Sequence, residues 1–552
     1  MKKAYLLSIG LLVLLLCTAC PGPDNKESGG KSTKAQTYKI SIDSLPTTNA
    51  PALQSFAHAT AGADWLLFAG RTNKDAKIGG LHNLNANYSS TSFIPKSYNQ
   101  NIYTYNLAED KVSSINYASF LDDLKANLCK DSSSEMCQSL SKGDYDFTSI
   151  FVNSNPLVTQ DDNGYMYVIG GYGPKNFEYF KETPNWKKDT TKADKNRQQY
   201  ITYNQVARLH IASMIKLAKK QTLTDEEWAD VFRYGTSKEL ISTGAEVFVK
   251  TGSFSHVRVG PDGKKVLKDS TNITLYAAGG HNFGSGQKYL DAVYPFTVTS
   301  GGKSTTLGIS VSAPISDVSD PTDPASDNIS IFRRRDGPVV PSMYYNKTYK
   351  KMEQSLTFYG GVFKPGSDDD LQAWNDAIYV HPDWATGNKL YTYDTTYDQK
   401  NHNVYACGNF VGFDNDTKLL HTFLFGGIGD GAIAPPGHLS GFTNTGLHIT
   451  MNVEQQPMQS KITDTLQHVF GDTSNFYGAE SILIKSSNSI AYKIGSDDTE
   501  IIDLNTTLKN KSKVVIGHIY GGIEAYVANP GTYGKDYSAA SNKVWQITLT
   551  KE

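Results

Sequence analysis

The most concentrated chemical signal in the sequence is a run of three arginines, Arg333, Arg334 and Arg335, within IFRRRDG at residues 331–337. Guanidinium groups bind carboxylates and sulfates through paired hydrogen bonds, so this run predicts a site for an anionic group. Successive side chains of an extended strand point to opposite faces, so at most two of the three face a ligand together. The alternative is that they pair with Asp336, or with a carboxylate elsewhere, and only hold the fold together.

Familiar catalytic and nucleotide-binding motifs are missing or incomplete. The pentapeptide GxSxG of serine hydrolases does not occur. GGKST occurs at residues 29–33 and 301–305, but Asn25 and Thr297 stand where a phosphate-binding loop needs another glycine. The histidines nearest to each other in sequence are ten residues apart, whereas a zinc-binding helix needs two histidines three or four apart. Local motifs therefore predict no metal and no cofactor, which leaves sites assembled from distant segments.

Apolar runs that end in glycine recur along the whole chain. They are WLLFAG ending at Gly70, YMYVIGG at Gly171, ITLYAAGG at Gly280, SLTFYGG at Gly361, HTFLFGG at Gly427 and VVIGHIYGG at Gly522. Turn clusters such as DNG, PDG and SDD lie between neighbouring β-branched and aromatic runs, which indicates hairpins. A further strand-like segment such as NIYTYNL or NKVWQITL follows most of the phrases. The pattern predicts four strands per unit.

These units resemble kelch repeats, in which an apolar strand ending in Gly-Gly and a strand with an aromatic residue belong to one blade of a propeller. The resemblance covers the chain from about residue 37 to its last residue. It implies an all-β fold, a kelch-type β-propeller of six blades, each with four antiparallel strands, and short helical insertions. Radial packing buries both faces of a blade, which explains continuous apolar runs such as YMYVI.

The intervals between the phrases leave room for insertions within and between blades. The segment at residues 119–142 has a helical pattern, and the Lys-rich segment at 174–199 suits an exposed loop. TDEEWADVFRYG, residues 224–235, predicts a short helix with a capping box and a stop at Gly235. Residues 38–45 either join the last blade and close the ring or form a plain leading strand. The blades are expected at residues 50–110, 148–215, 240–300, 328–382, 400–455 and 475–552.

In propellers of this type, the loops before the innermost strands and the loops after the Gly-Gly strands converge at one end of the central channel. The resemblance therefore implies a ligand site there. Candidates that precede the innermost strands are His58, Asn155, Arg333, Arg334, Arg335 and Glu480. Candidates that follow the Gly-Gly strands are Arg71, His82, Tyr172 and His281. For each histidine the alternative is a structural hydrogen bond.

The N-terminal residues 1–19 are typical of a lipoprotein signal peptide. Two lysines precede an apolar run that is too short to span a bilayer. Thr18, Ala19 and Cys20 resemble the lipobox of bacterial lipoproteins, in which the cysteine is acylated, although Cys17 stands where leucine is usual. A plain secretory signal is the alternative. Residues 20–36 are polar and rich in Gly, Pro and Ser, as in a flexible tether.

Charge and cysteine content agree with an exported protein. The 53 basic and 55 acidic residues balance, so no overall field favours nucleic acid. Export exposes the chain to oxidising conditions, so Cys129 and Cys137 are predicted to form a disulfide. Cys407 is then unpaired, which is typical of a buried thiol. We expect a monomer in the bacterial cell envelope, held at the outer membrane by its lipid anchor and facing either the periplasm or the cell surface.

These observations predict a non-enzymatic, lipid-anchored protein that binds a glycan or an envelope protein with its propeller. Aromatic side chains beside Asn, Asp and Arg suit a sugar ring. The alternative is a kelch-propeller enzyme that acts on carbohydrate. A galactose-oxidase-like enzyme would need copper and a Tyr–Cys crosslink, for which only Cys407 near Tyr405 is available, whereas a sialic-acid-epimerase-like enzyme would use Glu480 with an arginine. A third possibility is a structural subunit of an outer-membrane assembly.

Replacing Cys20 with alanine in the full-length protein tests the anchor. We expect the wild type to incorporate radiolabelled palmitate and to fractionate with membranes, whereas the Cys20→Ala variant should incorporate none, because it lacks the acylated thiol. Cys17→Ala is the matched control and should label normally. Palmitate incorporation by Cys20→Ala at the wild-type level would contradict the anchor.

Overall fold

The computed structural model describes residues 37–46, 49–72, 97–129, 136–138, 149–174, 200–237, 246–249, 272–283, 287–300, 306–321, 330–364, 372–381, 390–430, 439–471, 474–495, 497–528 and 538–552. The predicted signal peptide, the tether with Cys20, most of the Lys-rich loop and His82 lie outside the described residues. Within these segments, no helix combines the length and apolar character needed to cross a membrane.

Strand β1 covers Tyr38–Ser44, and the blades follow it along the chain. Blade 1 contains β2 (Ala57–Ala61), β3 (Asp64–Phe68), β4 (Asn101–Asn106) and β5 (Lys111–Asn116), and helix α1 (Tyr117–Leu128) comes after it. Blade 2 contains β6 (Leu157–Gln160), β7 (Tyr165–Ile169), the hairpin β8 (Tyr172–Pro174) and β9 (Tyr200–Thr202), β10 (Gln205–His210), helices α2 (Ile211–Ala218) and α3 (Asp225–Asp230), and β11 (Phe232–Thr236). Blade 3 contains β12 (Glu246–Val249), β13 (Asn272–Ala278), the hairpin β14 (His281–Phe283) and β15 (Gln287–Tyr289), β16 (Val293–Thr299) and β17 (Gly308–Val311).

The second half of the chain repeats this arrangement. Blade 4 contains β18 (Val339–Asn346), β19 (Lys351–Lys364), β20 (Gln372–Val380) and β21 (Tyr391–Asp394). Blade 5 contains β22 (Gly408–Asp414), β23 (Leu419–Phe425), the hairpin β24 (Gly427–Asp430) and β25 (Leu439–Thr443), β26 (Gly446–Asn452) and β27 (Ser460–Leu466). Blade 6 contains β28 (Ile482–Lys485), the hairpin β29 (Ala491–Ile494) and β30 (Asp497–Asp503), helix α4 (Leu504–Thr507), β31 (Lys513–Tyr520), the hairpin β32 (Ile523–Ala525) and β33 (Ser538–Ala540), and β34 (Val544–Lys551).

The sheets form a ring around a central channel. The first strand of each blade is innermost, and β2 contacts β6, β6 contacts β12, β18 contacts β22 and β22 contacts β28. The outermost strand of blade 6 is β1, which pairs antiparallel with β34 from Tyr38 opposite Lys551 to Ser44 opposite Trp545. The chain is therefore an all-β, six-bladed propeller with few short helices, and β1 closes the ring as one of the two sequence-based alternatives predicted.

Apolar clusters fill the spaces between neighbouring blades and explain the continuous apolar runs. In β7, Met166 and Val168 face the cluster shared with blade 1, whereas Tyr167 and Ile169 face the cluster shared with blade 3. Further clusters join blades 3 and 4, 4 and 5, 5 and 6, and 6 and 1. Each fully buried side chain of this size contributes about 1.5–3 kcal/mol. Both faces of the second strand in a blade therefore belong to the core. This is why apolar and polar residues do not alternate along YMYVI.

Among the described residues, the glycines that end five of the phrases join their blades to the next ones. In each of these five blades the glycine amide donates a hydrogen bond to a main-chain carbonyl that precedes the inner strand of the following blade. The donor and acceptor pairs are Gly70 to Asn153 (2.7 Å), Gly280 to Arg334 (2.9 Å), Gly361 to Val404 (3.1 Å), Gly427 to Tyr477 (3.3 Å) and Gly522 to Leu53 (2.9 Å). The last of these connects blade 6 to blade 1.

The outermost strands lie beyond the blade ends expected from the sequence. Strands β5, β11, β17, β21 and β27 begin after residues 110, 215, 300, 382 and 455, respectively. Most of these strands are half exposed, as the alternating burial of β17 and β27 shows. They therefore lack the apolar run that marks an inner strand.

One predicted helix was only half right. The capping box of Thr224 and Glu227 is present, but α3 ends at Asp230 and the following residues form β11. Gly235 lies within β11, where a Cβ atom would approach the Leu307 carbonyl to 2.7 Å, so it serves close packing and does not stop a helix.

The cysteines behave as the sequence predicted. Cys129 and Cys137 form a disulfide, with their Cα atoms 5.3 Å apart, and Cys407 is buried and forms no disulfide.

Gly521→Ala tests the joint between blades 6 and 1. Gly521 has a φ of +69°, and an added Cβ would lie 2.7 Å from Cε1 of Phe56 and 3.0 Å from the Leu53 carbonyl oxygen, both in the segment that leads into blade 1. We expect a loss of roughly 3 kcal/mol or more in the free energy of unfolding, from backbone strain and the clash together. The matched control is Gly62→Ala, with a φ of +61° and no atom within 4 Å of the added Cβ. Its loss should be about 1 kcal/mol.

Urea unfolding followed by far-UV circular dichroism measures both variants. Equal losses for Gly521→Ala and Gly62→Ala would show that the joint contributes nothing beyond its backbone conformation.

Candidate binding site at the channel mouth

The residue that leads into the inner strand has a left-handed backbone in four blades. Its φ is 51° at Ser55, 55° at Asn155, 49° at Asp336 and 57° at Glu480. The amide of Asn155 donates to the Ser55 carbonyl (3.0 Å), that of Ala406 to Asp336 (2.5 Å) and that of Glu480 to Ala406 (2.9 Å). We call these five residues the mouth ring. Strained backbone that the surrounding structure enforces in this way is typical of ligand sites.

A cavity of about 220 Å³ occupies the channel beneath the mouth ring. Its wall combines apolar and polar side chains. The apolar ones include Phe56, Val158, Val339, Phe410, Ile482 and Leu483. The polar ones, followed along the inner strands, are Ser55, Asn155, Asp336 and Glu480 in the ring, His58 and Asn409 further along, and Lys485 and Glu500 at the far end.

Glu480 is the central acidic group of the mouth. Its Oε2 atom accepts hydrogen bonds from the Ser55 hydroxyl (3.0 Å) and the Asn155 amide (3.4 Å). Burial raises the pKa of the Glu480 carboxyl to about 7, and the negative charge of Asp336 adds to the rise. Hydrogen bonds from Ser55 and Tyr405 and the positive charge of Arg71 act in the opposite direction. Near neutral pH this carboxyl can therefore donate a hydrogen bond as well as accept one.

Asp336 is held by the arginine that precedes it. The Nε atom of Arg335 donates to Oδ2 of Asp336 (2.7 Å), and its Nη1 atom lies 3.1 Å from Nε2 of His281. His281 begins β14, directly after the glycines of blade 3, and is almost fully buried. The structure thus brings together three residues from blades 3 and 4, of which the sequence had suggested Arg335 and His281.

Arg71 reaches the same region from blade 1. It follows Gly70, is only 2% exposed, and its charge acts on both Glu480 and the Tyr98 hydroxyl. That hydroxyl donates to the carbonyl of Tyr172 (3.3 Å), and the Tyr172 ring lies 5.7 Å from the ring of Tyr200. On the side of the mouth formed by blades 1 and 2, a buried arginine therefore lies among tyrosine side chains.

The other two arginines of the run turn away from the cavity. Arg334 is 1% exposed, donates to the carbonyls of Ile331 (2.8 Å) and Gly360 (2.9 Å), and forms a salt bridge with Asp376. The guanidinium of Arg333 stacks on the ring of Tyr289 at 4.3 Å. The three guanidiniums therefore have different principal partners: Asp376 for Arg334, the Tyr289 ring for Arg333, and Asp336 with His281 for Arg335. The structural alternative describes Arg334, since its partners are main-chain carbonyls and a carboxylate of blade 4.

Two further residues that the sequence suggested as ligand contacts are His58 and His82. His58 lies on inner strand β2 and lines the cavity, and burial lowers the pKa of its imidazole to about 4, so the ring is neutral at physiological pH. Its Nδ1 atom is buried without a hydrogen-bond partner among the described residues. His82 lies outside the described residues.

Sequence reasoning missed several groups of the site. Ser55 and Asp336 share with Asn155 and Glu480 only their position before an inner strand, and no motif marks that position. Lys485 ends an inner strand, and Glu500 belongs to the inserted hairpin β29–β30. The one usable signal was positional: a polar residue stands two or three positions before the innermost strand in four of the blades.

The fold and the site together define a six-bladed β-propeller with a polar ring at one end of its channel. No protein family profile matches the sequence, and no curated protein is similar to it. A solved structure described as "Structure of YjhT" is 13% identical, over 76% of this chain and 99% of that one, with a TM-score of 0.37. This likeness is too low to transfer a function. In the described part of the chain, no three His, Cys, Asp or Glu side chains are placed to hold a metal ion.

The pKa of Glu480 predicts how stability changes with pH. The folded carboxyl titrates near 7, above its ordinary value of 4.5, so the folded state binds this proton more tightly than the unfolded chain does. The free energy of unfolding should therefore fall as pH rises from about 4.5 to about 7, by up to about 3 kcal/mol from this group. Glu480→Gln should remove that part of the slope.

Urea unfolding midpoints between pH 4.5 and 8 measure the slope in both proteins. Glu109→Gln, at an exposed turn, is the control and should keep the wild-type slope. A Glu480→Gln variant with an unchanged slope would contradict the assignment.

Proposed function

We propose that this protein binds a small hydroxylated ligand, a sugar unit of a glycan, in the cavity behind the mouth ring, and that it does so without transforming the ligand. The observation that supports this proposal is the convergence of Ser55, Asn155, Asp336 and Glu480 on one end of a cavity of about 220 Å³. Convergent polar groups around a partly apolar cavity are the usual form of a small-ligand site.

The chemistry of the ring suits sugar hydroxyls. A hydroxyl donates one hydrogen bond and accepts others, so it needs donors and acceptors side by side. Ser55 and the Asn155 amide supply both kinds, and the Glu480 carboxyl supplies either near its pKa of about 7. Val158, Ile482 and Leu483 in the cavity wall are only partly buried and offer apolar surface to the carbon atoms of a sugar ring.

Size favours a glycan over a protein partner. The cavity is smaller than the roughly 300–1,000 Å³ of sites for drug-sized ligands, so one monosaccharide unit is the scale that it fits. A protein partner would engage the outer surface of the propeller and would leave the mouth ring unexplained. We therefore favour the glycan among the two partner classes that the sequence suggested.

The cellular setting of this proposal rests on the sequence. The glycine pairs that end the second strands are the feature shared with kelch blades, and on that ground we assign the propeller to the kelch type. The lipobox-like Thr18-Ala19-Cys20 and the polar segment at residues 20–36 support an envelope lipoprotein. Neither the kelch assignment nor the envelope-lipoprotein assignment depends on the cavity.

Acid–base catalysis on a sugar is the second candidate, and one observation favours it. A carboxyl with a pKa of about 7 can lose and regain a proton at neutral pH, and Arg71 supplies a positive charge beside Glu480.

The copper oxidase alternative has weaker support. Burial raises the pKa of the Cys407 thiol to about 12, and its Sγ atom lies 3.3 Å from the Asn403 amide.

Ligand-observed NMR with a panel of free monosaccharides, followed by calorimetric titration of any that bind, tests the proposal. We expect millimolar or tighter binding of at least one sugar by the wild type. Glu480→Gln should weaken it at least tenfold at pH 8, because the ionised carboxylate accepts hydrogen bonds at both oxygens whereas the amide accepts at only one. Glu109→Gln is the control and should bind as the wild type does. If the wild type binds no sugar of the panel and no glycan on an array, the proposal is wrong.

The same samples separate binding from catalysis. If the protein is an enzyme of the epimerase type, it accelerates interconversion of the α and β anomers of the bound sugar, and Glu480→Gln slows that reaction by about 100-fold or more. Anomer exchange at the uncatalysed rate supports the non-enzymatic proposal.

A further inference from the structure

Five lysines lie together at one corner of blade 6, and we call them the lysine face. Two lie between α4 and β31, one begins β31, one is the second residue of β1, and one ends β34: Lys509, Lys511, Lys513, Lys39 and Lys551. Within the sheet, Lys513 and Lys39 both lie opposite Thr550. Their side chains therefore project from the same face of the sheet, with their Cα atoms about 10 Å apart.

Most of the positive charge of the lysine face is uncompensated. Lys39 pairs with Glu552 (2.6 Å). Among the described residues, the other four ammonium groups have no salt-bridge partner, and all but that of Lys551 belong to exposed side chains. Lysines elsewhere on the propeller do pair with acids, as in Lys216–Glu227, Lys219–Asp64, Lys351–Glu353 and Lys493–Asp498. Because like charges repel one another, the lysine face favours an external anion.

The lysine face lies at the end of the propeller opposite the mouth ring. Inner strand β28 runs from Ile482, beside the mouth ring, to Lys485 at the far end of the cavity. Its neighbour β31 is antiparallel to it, with Gly517 opposite Lys485. Lys513, at the start of β31, therefore lies beyond Lys485 at that far end.

The chain enters the propeller beside the lysine face. The carbonyl of Thr37, the first described residue, accepts a hydrogen bond from the Glu552 amide (2.9 Å), and Lys39 follows two residues later. The anchor proposed at Cys20 lies 17 residues before Thr37. Even a fully extended chain of this length keeps the anchoring bilayer within about 60 Å of the lysine face. At the high effective concentration that such a link produces, a weak contact is populated.

We propose that the lysine face binds the anionic phospholipid headgroups of the bilayer that holds the anchor, and that this contact turns the mouth ring away from the membrane. Clusters of about four to eight basic residues next to a membrane anchor bind anionic lipids in this way. Nearer the channel, the same end carries the carboxylates of Asp498, Glu500 and Asp503, so the contact is confined to the outer edge of blade 6. The setting rests on the proposed lipoprotein assignment, whereas the binding of lipid by these lysines does not.

Vesicle sedimentation tests the contact without the anchor. The protein is the chain without its predicted signal peptide, residues 20–552, with Cys20→Ser so that it cannot be acylated; it retains every described residue. We expect at least tenfold stronger binding to vesicles of phosphatidylglycerol and phosphatidylcholine in equal parts than to vesicles of phosphatidylcholine alone. The difference should vanish in about 1 M salt, where the Debye length is only about 3 Å.

A triple variant, Lys509→Gln with Lys511→Gln and Lys513→Gln, removes most of the charge of the lysine face. It should bind the anionic vesicles at least tenfold more weakly, because each lysine near an anionic bilayer strengthens binding by roughly fivefold. Urea midpoints show whether the variant is folded, and the salt dependence of the wild type tests the contact without any substitution.

The matched control is Lys111→Gln with Lys347→Gln and Lys400→Gln. These three lysines are exposed and far apart in the chain, in blade 1, in blade 4 and in the segment before blade 5, and the change in net charge is the same. The control should bind as the wild type does. Equal binding by the two triple variants, or by the wild type to both kinds of vesicle, overturns the proposal and leaves the lysine face to another polyanion, such as an acidic protein.

Fluorescence quenching tests the orientation. Lipids with a nitroxide on the headgroup should quench a fluorophore attached at Ser512→Cys, beside the lysine face, and leave one attached at Asn401→Cys, in the loop before the mouth ring, unquenched. Equal quenching at the two positions would contradict the orientation.

The results are separable from those for the sugar site, because sugar titration uses the same protein without vesicles. Sugar binding without vesicle binding refutes the lysine face alone. Vesicle binding without sugar binding supports the lysine face and refutes the sugar site alone.

Discussion

The hydrogen bond from a Gly-Gly amide to the next blade is the interaction on which the rest of the structure depends. Neighbouring blades approach so closely at this bond that no side chain fits between them: a Cβ at Gly426 would lie 2.3 Å from the Tyr477 carbonyl oxygen, which accepts the hydrogen bond of the Gly427 amide. The apolar clusters hold blades together without direction, whereas these bonds fix the offset of one blade against the next. The diameter of the channel follows from that offset.

The same joint also builds the candidate site. The chain that accepts the glycine hydrogen bond continues within two residues into the mouth ring, as Asn153 leads to Asn155 and Leu53 leads to Ser55. The joints therefore constrain the left-handed backbone of the four polar ring residues. Architecture and binding geometry share one short segment per blade, so a polar side chain placed there is held rigidly without further support.

The sequence predicted the parts of the fold that repeat and missed those that occur once. The second strands were visible because both of their faces are buried, and the glycines were visible because no side chain fits there. Strands β17 and β27 were missed because a half-exposed outer strand carries no apolar run. The prediction that Gly235 ends the helix was wrong because the sequence pattern is the same for a glycine that ends a capped helix and for one that lies in the following strand.

The candidate site was predictable only in part for a related reason. Glu480, Arg71, His281 and Arg335 could be named because the resemblance placed them next to recognisable strands. Nothing in the sequence indicated that Arg334 would turn toward Asp376 while Arg335 turned toward Asp336, since both carboxylates lie at plausible distances along the chain. Glu500 could not be assigned, because its place in the channel depends on a parallel pairing between β30 and β22 that leaves no local pattern.

The closure of the ring by β1 has a consequence for biosynthesis. Strand β1 begins at Tyr38, and its partner β34 ends at Lys551, so the two edges of the last blade are made at opposite ends of translation. At about 5–20 residues per second, the interval between them is roughly 25–100 s. Throughout that time β1 has no partner, and its edge is open to pairing with other chains. In a chain of this design, the blade that closes the ring is therefore the last to be completed, and its outermost strand is the first to be made.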